Sequence, residues 1–170
     1  MKKEAAFTLV EFLIVIAIIA VLSVVVVLVL NPFQLLFQSR DSNRVSDMAA
    51  LNVALGIYSA QGGNSFGNAN TIYISIPDPT ATSTAGDQCQ GLSLLAAPSG
   101  TSYFCASSST FRNTNGTGWI PVNLTTLPGG SPLGQLPIDP VNQSSSNFYY
   151  TYVTGGGQVH SDRIPGEPEV

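Results

Sequence analysis

Phe12-Leu13-Ile14-Val15-Ile16-Ala17-Ile18-Ile19-Ala20-Val21-Leu22-Ser23-Val24-Val25-Val26-Val27-Leu28-Val29-Leu30 is apolar at every position but Ser23, and no residue between Glu11 and Arg40 carries a formal charge. At about 1.5 Å per residue the run extends about 28 Å as a helix, close to the roughly 30 Å hydrocarbon core of a bilayer. A buried helix of this character in a soluble protein needs wrapping on all sides. A chain of 170 residues does not supply that much additional core. The run therefore predicts a membrane helix.

Its flanks set the orientation. Lys2 and Lys3 precede the run, and the first cations beyond it are Arg40 and Arg44. The positive-inside tendency places the amino terminus in the cytoplasm and the bulk of the chain outside. The residues after the run, Asn31-Pro32-Phe33-Gln34, lack the small-residue pattern of a secretory cleavage site. Small residues lie instead before it, at Ala5 and Ala6. A cut between Ala6 and Phe7 removes the lysines and keeps the apolar segment.

Glu11 is the most informative residue. A carboxylate in an apolar run is costly, so an intramembrane acid is read as functional and needs a neutralising partner. Cleavage before Phe7 creates an α-amino group one helical turn from Glu11, on the same chain or on a neighbouring one. The amino-terminal end of a helix also favours an anion. The alternative is that Glu11 only marks the interfacial start of the helix and snorkels.

Composition narrows the classes further. Only 9% of residues are charged, against about 25% in ordinary soluble domains, and the formal charge is −4. That balance gives no electrostatic footprint for nucleic acid. One histidine and two cysteines leave little for catalysis or metal binding, and no cofactor is implied. Cys89 and Cys105 fall in the exported part and fit a disulfide in an oxidising compartment; two reduced, buried cysteines are the alternative.

Ala6-Phe7-Thr8-Leu9-Val10-Glu11-Phe12-Leu13-Ile14-Val15 resembles the amino-terminal signature of type IV pilins and of the related pseudopilins of type II secretion. The resemblance implies that a membrane prepilin peptidase cuts before Phe7 and methylates the new amine. It also implies that Glu11 pairs with the Phe7 amine of a neighbouring subunit during filament assembly. The family usually has glycine before the cut, where this chain has Ala6.

Beyond the run, Pro32 predicts a bend or loosening near Leu28 to Asn31. Val45, Met48, Leu51, Leu55 and Tyr58 then recur at helical spacing, with Arg40, Asp41, Arg44 and Asp47 as a polar face. A continuous helix from Phe7 to about Ala60 measures roughly 80 Å, longer than a small domain, and must project from it. Gln61-Gly62-Gly63-Asn64 ends it. The stretches Arg40 to Met48 and Leu51 to Tyr58 also look like the second half of a pilin or pseudopilin spine.

The remaining residues carry β-rich runs at Thr71 to Ile76, Ser102 to Ala106, Gly118 to Leu124 and Phe148 to Val153, with a brief helical turn expected at Leu92 to Ala97. Phe104, Phe111, Trp119 and Phe148 supply core bulk. The fold expected is α+β: a long amino-terminal helix on a small antiparallel sheet with long loops. Leu136-Pro137-Ile138-Asp139-Pro140-Val141-Asn142, followed by Phe148 to Tyr152, resembles the connection and closing strands of pseudopilin-like heads. The tail from His160 to Val170 is expected to pack weakly.

Smaller signals point to loop chemistry. Asn115-Gly116-Thr117, Asn123-Leu124-Thr125 and Asn142-Gln143-Ser144 fit the N-glycosylation pattern, but chance matches are frequent in a chain so rich in Asn, Ser and Thr. Asp139 with Asn142 offers oxygen ligands for calcium, although a lone acid in a turn more often caps it. His160 has no evident partner in the sequence.

The sequence thus predicts a leader at 1–6, a hydrophobic membrane and filament-core helix at 7–30, its amphipathic continuation at 31–60 and a head at 61–170. It predicts a non-enzymatic subunit of a helical filament, held in the cytoplasmic membrane before assembly and extracellular after it. Its partners are the membrane, copies of itself, the prepilin peptidase and a pilus or secretion assembly machinery. The rivals are a secretion pseudopilin and a single-pass anchored binding protein; an anchored hydrolase requires a clustered acid, base and nucleophile.

Overall fold

The computed structural model describes residues 7–81, 89–154 and 158–161. The chain divides into two compact units, Met1–Asp41 and Ser42–Val170.

In the first unit, helix α1 spans Leu9–Leu30. From Leu9 to Val29 its side chains are exposed all round, as suits a helix with no polar face whose partner is an apolar solvent. The one polar side chain in its apolar stretch is satisfied internally: the Ser23 hydroxyl donates to the Ile19 carbonyl at 2.8 Å. α1 ends at Asn31, which adopts the left-handed conformation (φ 39°, ψ 78°). Helix α2, Pro32–Ala60, begins at the next residue. Asparagine tolerates that backbone region better than other non-glycine residues, and proline at a first helical position has no amide to leave unpaired. In place of one continuous helix there are thus two in sequence, and Pro32 opens the second.

The second unit contains the core. The carboxyl-terminal half of α2 buries Leu51, Ala54, Leu55 and Tyr58, with Met48 half-buried. Val45, which helical spacing assigns to this stripe, is 71% exposed. The inward position one residue earlier belongs to Arg44, because it has an ionic partner on the head. Gly62 is left-handed and the amide of Gly63 donates to the Tyr58 carbonyl at 3.0 Å, ending the helix. A side chain at Gly63 would collide with the Tyr58 ring.

Among the described residues four strands follow: β1 Thr71–Asp78, β2 Ser102–Ser107, β3 Tyr150–Val153 and β4 Gln158–Ser161, in the spatial order β2-β1-β3-β4. β3 pairs antiparallel with β1 and β4, whereas β2 pairs parallel with β1. The α+β class holds, but the sheet is mixed, since the long connection from β1 to β2 allows a crossover that a hairpin does not.

Three local expectations change. Gly118 to Leu124 forms no strand: Ile120, Val122 and Leu124 alternate inward as a strand would, but Trp119 is buried beside them and the segment's pairing is a single isolated bridge from Asn123 to Asn115. The Trp119 amide donates instead to the Phe111 carbonyl, and its indole to the Pro137 carbonyl at 3.0 Å. Close approach of Asn113 and Leu136 to Gly118 leaves no room for a side chain there. The short helical turn lies at Gln90–Leu92, ahead of Leu92 to Ala97, and left-handed Ser93 closes it. Finally, His160 and Ser161 belong to β4 rather than to a loose tail; residues 162–170 lie outside the described residues.

Cys89 and Cys105 form a disulfide with Cα atoms 5.2 Å apart, buried beside Ile74 and Ile76. It closes a loop with a sequence separation of 16. Removing it as the pair Cys89→Ser and Cys105→Ser is expected to lower stability by about 3 kcal/mol. Urea unfolding of the detergent-solubilised chain, followed by tryptophan fluorescence, reads this as a lower midpoint. An unchanged midpoint contradicts a stabilising bridge.

Candidate assembly site

The amino-terminal segment is built around Thr8. Its side chain accepts from the Glu11 amide at 3.3 Å, and the Glu11 carboxylate returns to accept from the Thr8 amide at 2.9 Å and the Thr8 hydroxyl at 3.0 Å. This reciprocal capping box satisfies two of the orphan donors that every helix start presents. Phe7 lies just outside the helix and is exposed, while Ala6 lies outside the described residues. Glu11 therefore stands in the first turn of α1, with one carboxylate oxygen engaged by its own chain. Searching for an ionic partner to Glu11 overlooks Thr8, although the signal was in the sequence as T-x-x-E ahead of an apolar run.

In the head, a polar cluster clamps α2 to the segment before β3. Arg44 donates through Nε to Asp139 Oδ2 and through Nη2 to Oδ1, at 2.6 and 3.3 Å. Its guanidinium also lies 4.8 Å from the centre of the Phe148 ring. Asp139 Oδ1 accepts further bonds from the amides of Val141 and Asn142. Burial pushes the Asp139 carboxyl up, but the Arg44 bond and these amides outweigh it and hold the group below its ordinary value. Asn142 is turned to Ser75, whose hydroxyl donates to Asn142 Oδ1 at 2.8 Å and accepts from the Tyr150 amide at 2.9 Å. Tyr150 donates its hydroxyl to Asp47 at 2.9 Å; burial first, then this carboxylate, push the phenol well above its usual range. Two residues of the polar face of α2, Arg44 and Asp47, are thus head contacts.

The same geometry answers the smaller signals. Asp139 and Asn142, weighed as calcium ligands, are committed to Arg44, backbone amides and Ser75. Among the described residues, no group of three or more His, Cys, Asp or Glu converges as a metal site. Asn115 and Asn123 accept from the amide and hydroxyl of Thr117 and Thr125, so both use their side-chain carbonyls to form turns. The His160 side chain lies outside the description; its backbone pairs with Thr151.

Asp78 ties the disulfide-bearing loop to the end of β1. Its carboxylate is buried and accepts from the Thr80 amide and hydroxyl, each at 2.7 Å, and from the Gly91 amide at 3.0 Å. Burial again opposes ionisation, and the Thr80 and Gly91 bonds prevail, so its pKa is lowered. Both Asp78 and Asp139 have folded values below the unfolded value of about 3.9. Their contribution to stability is present above that pH and is lost as pH falls through the folded values. The head is therefore expected to lose stability below about pH 4, read as a falling urea midpoint. Asp78→Asn is expected to flatten that fall; an identical acid slope in the variant contradicts the assignment.

Residues 1–27 match the family model described as the prokaryotic N-terminal methylation motif, the prepilin-like signature of type IV pilins and pseudopilins. No curated protein and no solved structure matches the chain. The motif supports a type IV pilin-like or pseudopilin protein, and its family is structural rather than enzymatic. The apolar span Leu9–Val29 together with the motif fits single-pass membrane anchoring.

Proposed function

We propose that the chain is the structural subunit of a type IV pilus-like helical filament and catalyses no reaction of its own. The observation that carries this reading is the methylation motif at residues 1–27 joined to a helix whose apolar surface is exposed on every side. Such a helix needs lipid before assembly and copies of itself afterwards.

In this reading residues 1–6 are a leader, 7–30 the membrane and filament-core helix, 31–60 its continuation and 61–170 the head. A prepilin peptidase cuts between Ala6 and Phe7 and the new Phe7 amine is methylated. Lys2 and Lys3 hold the amino terminus in the cytoplasm until then. On assembly, Glu11 turns from Thr8 toward the Phe7 amine of a neighbouring subunit, so that the acid enters the filament core neutralised. An assembly machinery draws subunits from the membrane, and the heads, each stapled by Cys89–Cys105, form the extracellular surface.

A secretion pseudopilus uses the same amino-terminal chemistry. Immunogold electron microscopy of native cells with antibody against the head separates the readings. Label along filaments extending beyond the cell is expected. Label confined to the envelope favours the pseudopilin, and label that never clusters into filaments returns the chain to a single-pass anchored protein.

A further inference from the structure

We propose that the first turns of α2, from Phe33 to Arg40, lie in the headgroup and acyl boundary of the membrane as an interfacial anchor for the chain before assembly. The proposal rests on the reading of α1 as a membrane span and adds a second, separate lipid contact to it.

α1 alone has 22 residues, and at about 1.5 Å each it already crosses the hydrocarbon core. The apolar surface nevertheless continues. Phe33, Leu36 and Phe37 are 70%, 56% and 59% exposed. Their spacing of three and four places them on one face of α2, with Gln34 and Gln38 sharing another; Leu35 stands apart from the stripe. Three bulky apolar side chains share one face, and the other side carries Gln34, Gln38 and Ser39 with Leu35 as its one large apolar residue, a polarity difference that suits a helix lying in the interface plane.

Two further features point to lipid as the occupant. The left-handed Asn31 interrupts the helix directly beyond α1, and the Gln34 amide closes a new first turn on the Asn31 carbonyl at 3.0 Å, so α2 need not follow the axis of α1. Arg40 is the first charge after the span, exposed and on the stripe of Phe33 and Phe37 at spacings of seven and three. From there its guanidinium reaches lipid phosphate while its stem follows the apolar surface. The face is thus continuous with the span at one end and closed by a phosphate-complementary cation at the other.

Nitroxide labels on introduced cysteines test this in the full chain, since the native cysteines are both in the disulfide. The chain is reconstituted in phosphatidylcholine and phosphatidylglycerol vesicles as V21C, F33C, F37C and Q38C variants. Power saturation with oxygen and a water-soluble nickel chelate then reports depth. Labels at 33 and 37 are expected just below the phosphates, within about 3 Å of the same depth, with the label at 38 accessible to nickel. Had α2 continued along the membrane normal, the four-residue step would separate the first two by about 6 Å. That separation, or nickel access at 33 and 37 equal to that at 38, overturns the proposal. Spin broadening at 33 and 37 that disappears on dilution with unlabelled chain also overturns it, assigning the face to a second copy. A label at 21 outside the lipid overturns the membrane span itself, which the other outcomes leave standing.

Discussion

Replacing Glu11 by glutamine is expected to leave the chain folded and membrane-bound and to abolish filaments. Glutamine at this position retains the capping box, because its side-chain carbonyl accepts from the Thr8 amide as the carboxylate does. Local helix stability is therefore nearly unchanged, and only the charge is lost. If the acid meets a neighbouring Phe7 amine in a core without water, Glu11→Gln leaves that amine buried and unpaired, a change of about 3 to 5 kcal/mol at each subunit contact. At about 1.4 kcal/mol per factor of ten, assembly weakens at least about a hundredfold per contact. Sheared-filament yield and membrane-retained chain, quantified together by immunoblot, check this. Thr8→Val is the companion variant. It removes the hydroxyl half of the box at a cost of about 0.5 to 2 kcal/mol and is expected to reduce filaments only modestly. Normal filaments from Glu11→Gln contradict the ionic role, and equal losses in both variants assign the effect to the cap.

Arg44→Met is expected to be the most damaging single change in the polar clamp of the head. The Asp139 side chain is 3% exposed, so removing its cationic partner leaves a carboxylate buried with two backbone amides. Breaking a buried pair from one side costs about 3 to 5 kcal/mol. The contact over Phe148 is lost with it. Because protonation relieves the stranded charge, the deficit should shrink as pH falls through the carboxylate range. Adding Asp139→Leu to Arg44→Met should restore much of the loss, since an apolar pair often replaces a buried ionic one at little cost. Urea midpoints of the unmodified chain and the two variants at pH 7 and pH 3.5 provide the measurement. A loss below about 1 kcal/mol at pH 7, the range of exposed ion pairs, would show that the clamp is solvated.

The parts of the molecule that were legible in sequence are those where one period or one solvent dominates. An apolar run free of charge has few places to go, and Leu51, Leu55 and Tyr58 keep a helical period long enough to identify their buried face. Interactions between distant residues were not legible. Val45 fits the apolar period better than Arg44, and Asp139 and Phe148, far along the chain, draw Arg44 inward. The same holds for Gly118 to Leu124, whose β-rich composition and alternating burial read as a strand, while its bonds run to Phe111 and Pro137 rather than to a neighbouring strand. The parallel pairing of β2 with β1 is equally a property of the crossover rather than of either strand. At the amino terminus the position of Glu11 was legible, but its contact with Thr8 was missed because a charge draws the search toward an opposite charge.

The most direct test of the filament reading is the mass of the amino-terminal peptide recovered from native filaments. The account predicts a peptide that starts at Phe7 and carries one methyl group on its amine. Filaments built of chains that still begin at Met1, or recovery of only leader-bearing chains from the membrane, would contradict it.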